Sequence, residues 1–531
     1  MLEVPWRLVY LATIPLKVVF ALSNSYIHPD EHFQNFEVLT NKILNYNTIV
    51  PWEFSQEAAS RSFAPLYLFY SPMLYLIKFL GIDLSPIQIW YIIRLQFAII
   101  GTLICDSCLW YLLPNKPERI KALFFTLTSY ITLVFQSHCF SNTIETWLVL
   151  LSLVILDDLR QITELKEIRL RSRKNHFFFG VLLSIGIFNR ITFPAFIIFP
   201  SYFLLVNLWS NMFDAVWCVL GFLSVSYIFV LIDTVSYGIK LTSVILNPFS
   251  FQSYILTPLN NFIYNSKIEN LSTHGLHPRY QHVLINVPQI LGPGLFLLFY
   301  RFRNRYWKTI PFLSALGGCL SLSIFPHQEL RFLMPILPLL CSCFDLRSFQ
   351  SDSNESDIKS SSIFKFILNA WYVFNIILAI LMGTYHQGGV IPALDYFHQS
   401  LIKLHEVKTA QIWWRTYSPP AWILGDLYNT VEVKSLSNLS FDSVLSENQK
   451  NELIDGMGME KGLLLKLISN SRKAGFRRVF LVTPTSSFNL ELKHQLNANE
   501  IWHYAYHLDL DHINIAIAET FKPGLSIYEL L

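Results

Sequence analysis

Twelve apolar segments recur along the first 384 residues, at roughly 5–22, 64–80, 88–113, 120–136, 143–156, 177–188, 193–206, 213–233, 283–300, 310–324, 332–345 and 363–384. No soluble core takes up that many greasy elements, so this pattern constrains the fold more than any other feature. Soluble domains carry about 25% charged residues. This chain has 15%, against 52% hydrophobic. The expectation is an α-helical polytopic membrane protein of about 11–12 membrane segments. Several segments fall short of the ~20 residues that a straight span needs. Short or broken helices are tolerated where they line a protein cavity, and Pro194, Pro200, Pro288 and Pro293 are placed to break or kink them. The N-terminal run, interrupted by Lys17, reads as a signal anchor rather than a cleaved signal peptide.

Lys and Arg set the orientation. Loop 157–176 holds Arg160, Lys166, Arg169, Arg171, Arg173 and Lys174, and loop 301–308 holds four basic residues in eight. With both in the cytosol, parity fails once near 64–113, so one segment, such as 64–80, is expected to be re-entrant or interfacial. Residues 347–362 read as a polar, serine-rich linker. Residues 385–531 read as a separate lumenal α/β domain, with strands at 477–484 and 504–512 and a helix at 459–474. The sequence thus divides into 1–384, a multi-span catalytic domain with a catalytic loop at about 23–63, and 385–531. Asn438-Leu439-Ser440 is a glycosylation acceptor on the expected lumenal side, and Asn270-Leu271-Ser272 is a second match. Asn354-Glu355-Ser356 falls on the other side.

Several chemistries are set aside. A net charge of +3 with no basic patch interleaved with aromatics does not suit nucleic acid. The seven cysteines lie in or beside apolar runs, and Cys105-x-x-Cys108 has no second pair, so they read as small buried hydrophobes. There is no P-loop, dinucleotide-binding glycine fingerprint, HExxH pattern or internal repeat.

The polar clusters all fall on the non-cytosolic side of that topology. "HPDEH" (28–32) follows the first apolar run. "WEF" (52–54) through Arg61, "SNTIE" (141–145), "FNRIT" (188–192), "HGLHPRY" (274–280) and "PHQELRF" (326–332) each flank another. Ionisable groups at membrane depth are costly and mark functional cavities. Adjacent helical residues point about 100° apart, so Asp30 and Glu31 cannot both address one atom. Pro29 suits a first helical turn, whose positive end favours acids, so helix stabilisation and catalysis both stand as readings of the pair. His28 and His32 have i, i+4 spacing. The proline after His28 holds it extended, and no zinc ligand set is evident. Arg190, Arg279, Arg331 and His327 form a cationic group suited to a phosphate. A carboxylate and a phosphate cradle on one face suggest group transfer from a lipid phosphate, with a base activating an acceptor hydroxyl.

At these residues the chain resembles the lumenal, dolichyl-phosphate-mannose-dependent mannosyltransferases of the GT-C fold. The matching pieces are "HPDEHFQ", "WEF" with "RSF", "SNTIET", "FNRITFPAF", "HGLHPRYQH" with "NVPQILGP", and "HQELRFLMPILPL", spread in family order over about residues 1–345. "HPDEHFQ" together with "HQE-x-RF" is most similar to the branch that adds the fourth, side-branching mannose to the GPI precursor. Other branches more often carry lysine at the Gln328 position, and the fourth-mannose branch carries proline at Leu330. The resemblance implies an inverting transfer of mannose from dolichyl-phosphate-mannose to a 2-hydroxyl of the third mannose, in the endoplasmic reticulum membrane with a lumenal site. It implies Asp30 as base, with Glu31 as alternative or positioning partner. His327 and Arg331, with Arg190, would hold the donor phosphate. His28, Glu145, His274, His277 and Arg279 are candidates for acceptor or sugar binding. No metal or cofactor is expected, and no protein partner is identifiable. The competing expectations are third-mannose or N-glycan-lipid transfer within the same family, and a secondary transporter.

Overall fold

A computed structural model describes residues 5–165, 169–246, 250, 253–273, 275–299, 306–346, 362–401, 408–435, 450–514 and 516–531. His274, the linker 347–361 and the Asn354 and Asn438 acceptors lie outside the described residues, as do five of the residues of loop 301–308. The chain divides into two compact units: Met1–Val18, Trp52–Phe69 and Gln96–Ile377 form the first, and Val19–Pro51, Tyr70–Leu95 and Leu378–Leu531 form the second.

Among the described residues, three helices are long and apolar enough to cross a membrane: Pro86–Leu112, Met212–Ser236 and Ser362–Tyr385. The number rises to five if each of two broken pairs counts as one span. Of the remaining apolar segments, some lie in single helices, such as Trp6–Ala21, Ser141–Leu165 and Ile310–Ser323, and others are interrupted. Segment 64–80 is two helices, Phe63–Phe69 and Ser71–Leu80. Segment 120–136 bends by 67° between Lys116–Leu127 and Tyr130–Ser137. At that bend the Ser129 hydroxyl accepts from the Ile131 N–H (3.3 Å), and Asn375 Oδ1 accepts from the Tyr130 N–H (2.8 Å). Side chains thus satisfy the backbone groups that the break frees. Pro194 opens the helix Pro194–Ile197, Pro200 caps Ser201–Ser210, and Pro293 separates Val287–Leu291 from Gly294–Phe299. Pro288 instead lies within one continuous helical stretch, just after the π-helical turn His282–Asn286.

In the first unit, helices Arg169–Asn189 and Ala215–Ser236 pack backbone to backbone. A Cβ on Gly180 would stand 2.0 Å from the Cys218 carbonyl oxygen, and one on Gly221 would stand 2.1 Å from that of Phe177. Small residues permit such approach where lipid supplies no hydrophobic drive between helices. The expected loop 157–176 is largely helical, because Ser141–Leu165 and Arg169–Asn189 run into it from both sides. Arg160 there pairs with Asp157 (2.8 Å) and Glu164 (2.9 Å) at helical spacing.

The second unit is built on a six-stranded sheet: β1 Thr409–Trp413, β2 Val431–Ser435, β3 Asn451–Asp455, β4 Arg478–Pro484, β5 Ala498–Tyr504 and β6 Leu525–Leu530, in the order β2-β3-β1-β4-β6-β5. The first four are parallel, and β6 runs antiparallel between β4 and β5. Ala410 and Ile412 pack in one cluster with Leu464, Leu467 and Ile468 of helix Lys461–Lys473. On the opposite face Trp413 and Phe480 meet Phe397 of helix Val390–Leu401. Covering both faces leaves every residue of β1 buried, as parallel strands require. The strand expected at 477–484 and the helix expected at 459–474 are present as Arg478–Pro484 and Lys461–Lys473. The strand expected at 504–512 lies earlier, at 498–504. Within the expected range, the Asp509 carboxylate accepts from the Asp511 N–H (3.3 Å) and meets His512 Nδ1 (2.5 Å) at the 3-10 turn 510–512.

Candidate active site

The acid segment belongs to the second unit. After the apolar helix Trp6–Ala21 the chain turns through Ser23 and buries Tyr26 and Ile27. Pro29 then starts a helical turn: its carbonyl accepts from the N–H groups of His32 and Phe33, each at 3.0 Å. The Glu31 N–H reaches the His28 carbonyl (3.2 Å). Residues His32–Phe36 follow as a π-helical turn, and Glu37–Leu44 as α-helix. Wide turns of this kind recur at functional sites.

This winding gives the two adjacent carboxylates opposite environments. Glu31 is wholly buried against an equally buried Arg94, with Oε1 to Nε at 3.5 Å. Arg94 also donates to the Ser23 carbonyl (2.6 Å) and lies 4.4 Å over the Trp90 ring. The Asp30 side chain keeps 22% of its surface exposed, beside a His28 that is 32% exposed, with His28 Nδ1 3.4 Å from Asp30 Oδ1. His28 Nδ1 also accepts from the Asp30 N–H (3.2 Å), which fixes its tautomer as Nε2–H when neutral.

His32 and Glu37, one turn further on, are fully buried. His32 Nδ1 accepts from Trp422 Nε1–H at 3.1 Å. Burial, then the nearby Arg94 charge, holds this imidazole well below its ordinary pKa, so it is neutral. Burial pushes Glu37 up to about 8, against hydrogen bonds from the N–H groups of Trp422, Ala421 and Ile49. An acid with a raised folded pKa binds more protons folded than unfolded. Stability is therefore lost as pH rises from the ordinary carboxyl range, about 4.3, toward about 8. Glu37→Gln removes this term. The melting temperature of the variant minus that of the parent is expected to increase steadily from pH 5 to pH 8, as read in purified detergent-solubilised protein; a difference independent of pH would contradict it.

The cationic group belongs to the first unit. Helix Arg169–Asn189 ends as Arg190 donates its N–H to the Gly186 carbonyl (2.8 Å), and Pro194 starts the next helix. Arg190 is held by Glu145 Oε2 (3.2 Å), the Ser141 hydroxyl (2.9 Å) and the Thr192 hydroxyl (3.2 Å). Glu145 is fully buried and also accepts from Thr192 (2.5 Å), so its carboxylate orients Arg190 rather than facing open space. Phe332 gathers the cations: the guanidinium of Arg190 lies 5.1 Å from its ring centre, that of Arg331 5.5 Å, and the His327 ring 5.6 Å. Glu329 links two of them, pairing with His327 Nε2 (2.8 Å) and with Arg331 Nε. His327 Nδ1 meets the Gly275 carbonyl (2.9 Å). Only an imidazolium donates through both nitrogens. Burial opposes that charge, but the Glu329 and Gly275 hydrogen bonds prevail and raise the pKa.

Gln328 is a buried brace between these residues. It accepts from the His282 N–H (2.8 Å) and donates to the carbonyls of Phe325 (2.9 Å) and Ser323 (3.1 Å). Its own N–H meets His277 Nδ1 at 3.3 Å, and the His277 and His327 rings stand 5.9 Å apart. Arg279 is exposed beside them. The "WEF" and "RSF" motifs close on each other through Glu53 and Arg61 (3.0 Å). Asp233, a lone acid in the helix Ala215–Ser236, accepts from the N–H groups of Phe63 (2.8 Å) and Ala64 (3.2 Å) at the start of the helix Phe63–Phe69. Anions favour such helix starts.

Arg94, Glu37, Trp422, Gln328 and Asp233 were not among the residues expected from sequence. Arg94 and Asp233 carried a usable signal, a single charge inside an apolar run. Among the described residues, no three His, Cys, Asp or Glu side chains gather as a metal ligand set.

Comparison with known proteins agrees with the motifs. A family model, the Alg9-like mannosyltransferase family, matches residues 8–424. GPI mannosyltransferase 4 of Debaryomyces hansenii is 52% identical over 100% of this chain and 99% of its own. Its counterparts of the same name in Candida albicans (47%, 99% of each chain) and Saccharomyces cerevisiae (37%, 100% of this chain and 99% of the relative) match equally fully. Among solved structures, the crystal structure of ArnT from Cupriavidus metallidurans bound to undecaprenyl phosphate superposes with a TM-score of 0.52 at 11% identity, covering 98% of this chain and 97% of that one. That likeness is one of fold.

Proposed function

The chain belongs to the Alg9-like mannosyltransferase family, as a membrane-embedded GT-C glycosyltransferase of GPI-anchor synthesis, and on that premise we propose that it transfers mannose from dolichyl-phosphate-mannose to a 2-hydroxyl of the third mannose of the GPI precursor, at a site in the lumen of the endoplasmic reticulum. The relatives' shared name supports the fourth-mannose step. The observation that carries the mechanism is the divergence of the two acids: Glu31 is spent on Arg94, and Asp30 is left at the surface of its turn.

In this reading Asp30 takes the proton of the acceptor hydroxyl as its oxygen attacks the anomeric carbon. The bond to the phosphate oxygen breaks on the opposite face, so the configuration inverts. Dolichyl phosphate leaves as an anion and needs no acid. His327, Arg331 and Arg190, already oriented by Glu329, Glu145 and Phe332, are suited to stabilise its charge as it develops. His28 sits beside Asp30, where it would help place the acceptor. His277 and Arg279 are kept as acceptor-binding candidates, and Glu145 acts through Arg190.

Arg331→Ala is expected to raise KM for the dolichyl-phosphate donor by about tenfold or more, the scale of one charge-assisted hydrogen bond, with acceptor KM little changed. Unchanged donor KM would remove Arg331 from phosphate binding. The overall assignment is tested by mass spectrometry of GPI intermediates in cells depleted of this protein. Accumulation of a trimannosyl GPI lipid is the expected result; a dimannosyl GPI or a truncated N-glycan lipid would reassign the step.

A further inference from the structure

The acid segment is gripped on both sides by residues far along the chain. On its N-terminal side Tyr26, wholly buried, donates its N–H to the His386 carbonyl (3.1 Å) and its hydroxyl to the Ser418 carbonyl (3.0 Å). Ser418 is in turn fixed by its hydroxyl to Asp455 at the end of β3 (2.6 Å). The Tyr26 ring stands edge-on to Tyr417 at 5.5 Å. On the C-terminal side Trp422 makes three contacts. Its indole N–H binds His32 Nδ1 (3.1 Å), its ring stacks on Phe36 (4.8 Å, 11°), and its backbone N–H reaches Glu37 Oε1 (3.3 Å). Trp422 itself is held in a short 3-10 turn, Ala421–Leu424, entered through Pro419 and Pro420 and closed by Gly425 in the left-handed region at φ +61°. His398 of the helix Val390–Leu401 fastens the end of that turn, its Nδ1 meeting the Leu424 carbonyl at 2.7 Å. Between the two grips only His28, Pro29 and Asp30 reach the surface.

We propose that the turn Ala421–Leu424, with Trp422 as its principal side chain, and His386 and Ser418 on the other side, form a positioning element that aims Asp30 at the acceptor hydroxyl. The proposal rests on Asp30 as the base and extends that reading: it makes the sheet domain part of the catalytic framework. Asp30 stands at the start of the turn that follows Pro29. Its direction is set by the turn it begins, and that turn is registered by His32 and Tyr26. Loss of the Trp422 indole N–H lets the His32 ring and the first turn shift. A displacement of about 1 Å costs up to about a hundredfold in rate where the reacting atoms must be aligned.

The test is Trp422→Phe in the full-length enzyme in microsomes, assayed with dolichyl-phosphate-mannose and trimannosyl GPI. Phenylalanine keeps an aromatic ring against Phe36 and the backbone bond to Glu37, and removes the donor to His32 together with part of the ring at this fully buried position. The expected result is a fall in kcat of about ten- to a hundredfold, with both KM values within about twofold and melting lowered by only a few degrees. In an Asp30→Glu background, where the carboxylate is already displaced, the same substitution should cost less than about twofold, because the two act on one geometry. Wild-type kcat in Trp422→Phe, an effect confined to KM, or an equal loss in both backgrounds would overturn the proposal. If Trp422→Phe fails to accumulate, Tyr26→Phe, which removes the bond to Ser418 on the other side, is judged by the same three readouts. The underlying assignment fails separately: substantial turnover in Asp30→Asn would remove Asp30 as base, whatever Trp422→Phe does.

Discussion

Asp30→Asn is expected to lower kcat by about 10²–10⁴-fold, the usual contribution of a general base, with the protein still folded and inserted. Asparagine keeps the size and the hydrogen-bonding oxygen of the side chain and loses only its basicity. The Asp30 side chain is 22% exposed, and its neighbour His28 is 32% exposed. The variant should therefore accumulate normally, bind both lipid substrates with unchanged KM, and fail to support growth in cells that lack this activity. Turnover above about a tenth of wild type would exclude Asp30 as base. Because the donor leaves as phosphate, the loss should fall on the acceptor-activating step, so slow hydrolysis of the donor by water is expected to fall in parallel only if water is activated by the same carboxylate.

Much of the scaffold could be read from the chain before any coordinates. The apolar segments and the breaks at Pro194, Pro200 and Pro293 follow from length and local chemistry. So does the placement of polar residues at segment ends, since burying them elsewhere in lipid is costly. The division of labour between Asp30 and Glu31 did not follow. It depends on Arg94, more than sixty residues on, and on Trp422, almost four hundred residues on. Two adjacent acids look alike until the partners are known. The brace at Gln328 was hidden for the same reason: its contacts are backbone groups of His282, Ser323 and Phe325, which carry no residue signature. In the sheet domain β4 was legible because seven residues are nearly all apolar. β5 was displaced by one segment, because the alternation in "YAYHLDLDH" mimics a strand, whereas the Asp509 carboxylate closes a turn there. Residues 19–51 pack with 378–531 in one unit, a long-range association that no local periodicity carries.

Glu31→Ala is expected to be more damaging to the fold than Asp30→Asn, and for a different reason. It leaves Arg94, with none of its side chain exposed, without its carboxylate in the helix Pro86–Leu112. Removing one partner of a buried ion pair costs about 3–5 kcal/mol, a large share of the stability of a typical domain. Protein level and melting temperature should both fall steeply, and activity with them, so Glu31→Ala alone looks like a catalytic knockout in a growth assay. The distinction comes from removing both charges. Replacing a buried pair by apolar residues of similar size is often neutral or stabilising, so Glu31→Leu combined with Arg94→Met should recover most of the protein level. Arg94 also holds the Ser23 carbonyl (2.6 Å), and losing that bond costs a further ~1.5–3 kcal/mol, the scale for a charged donor, so recovery is partial. The recovered protein should turn over substrate measurably, because Asp30 is intact. If the double variant accumulates, melts near the parent and is still inert at the Asp30→Asn level, then Glu31 acts in the chemistry and the roles of the two acids must be exchanged.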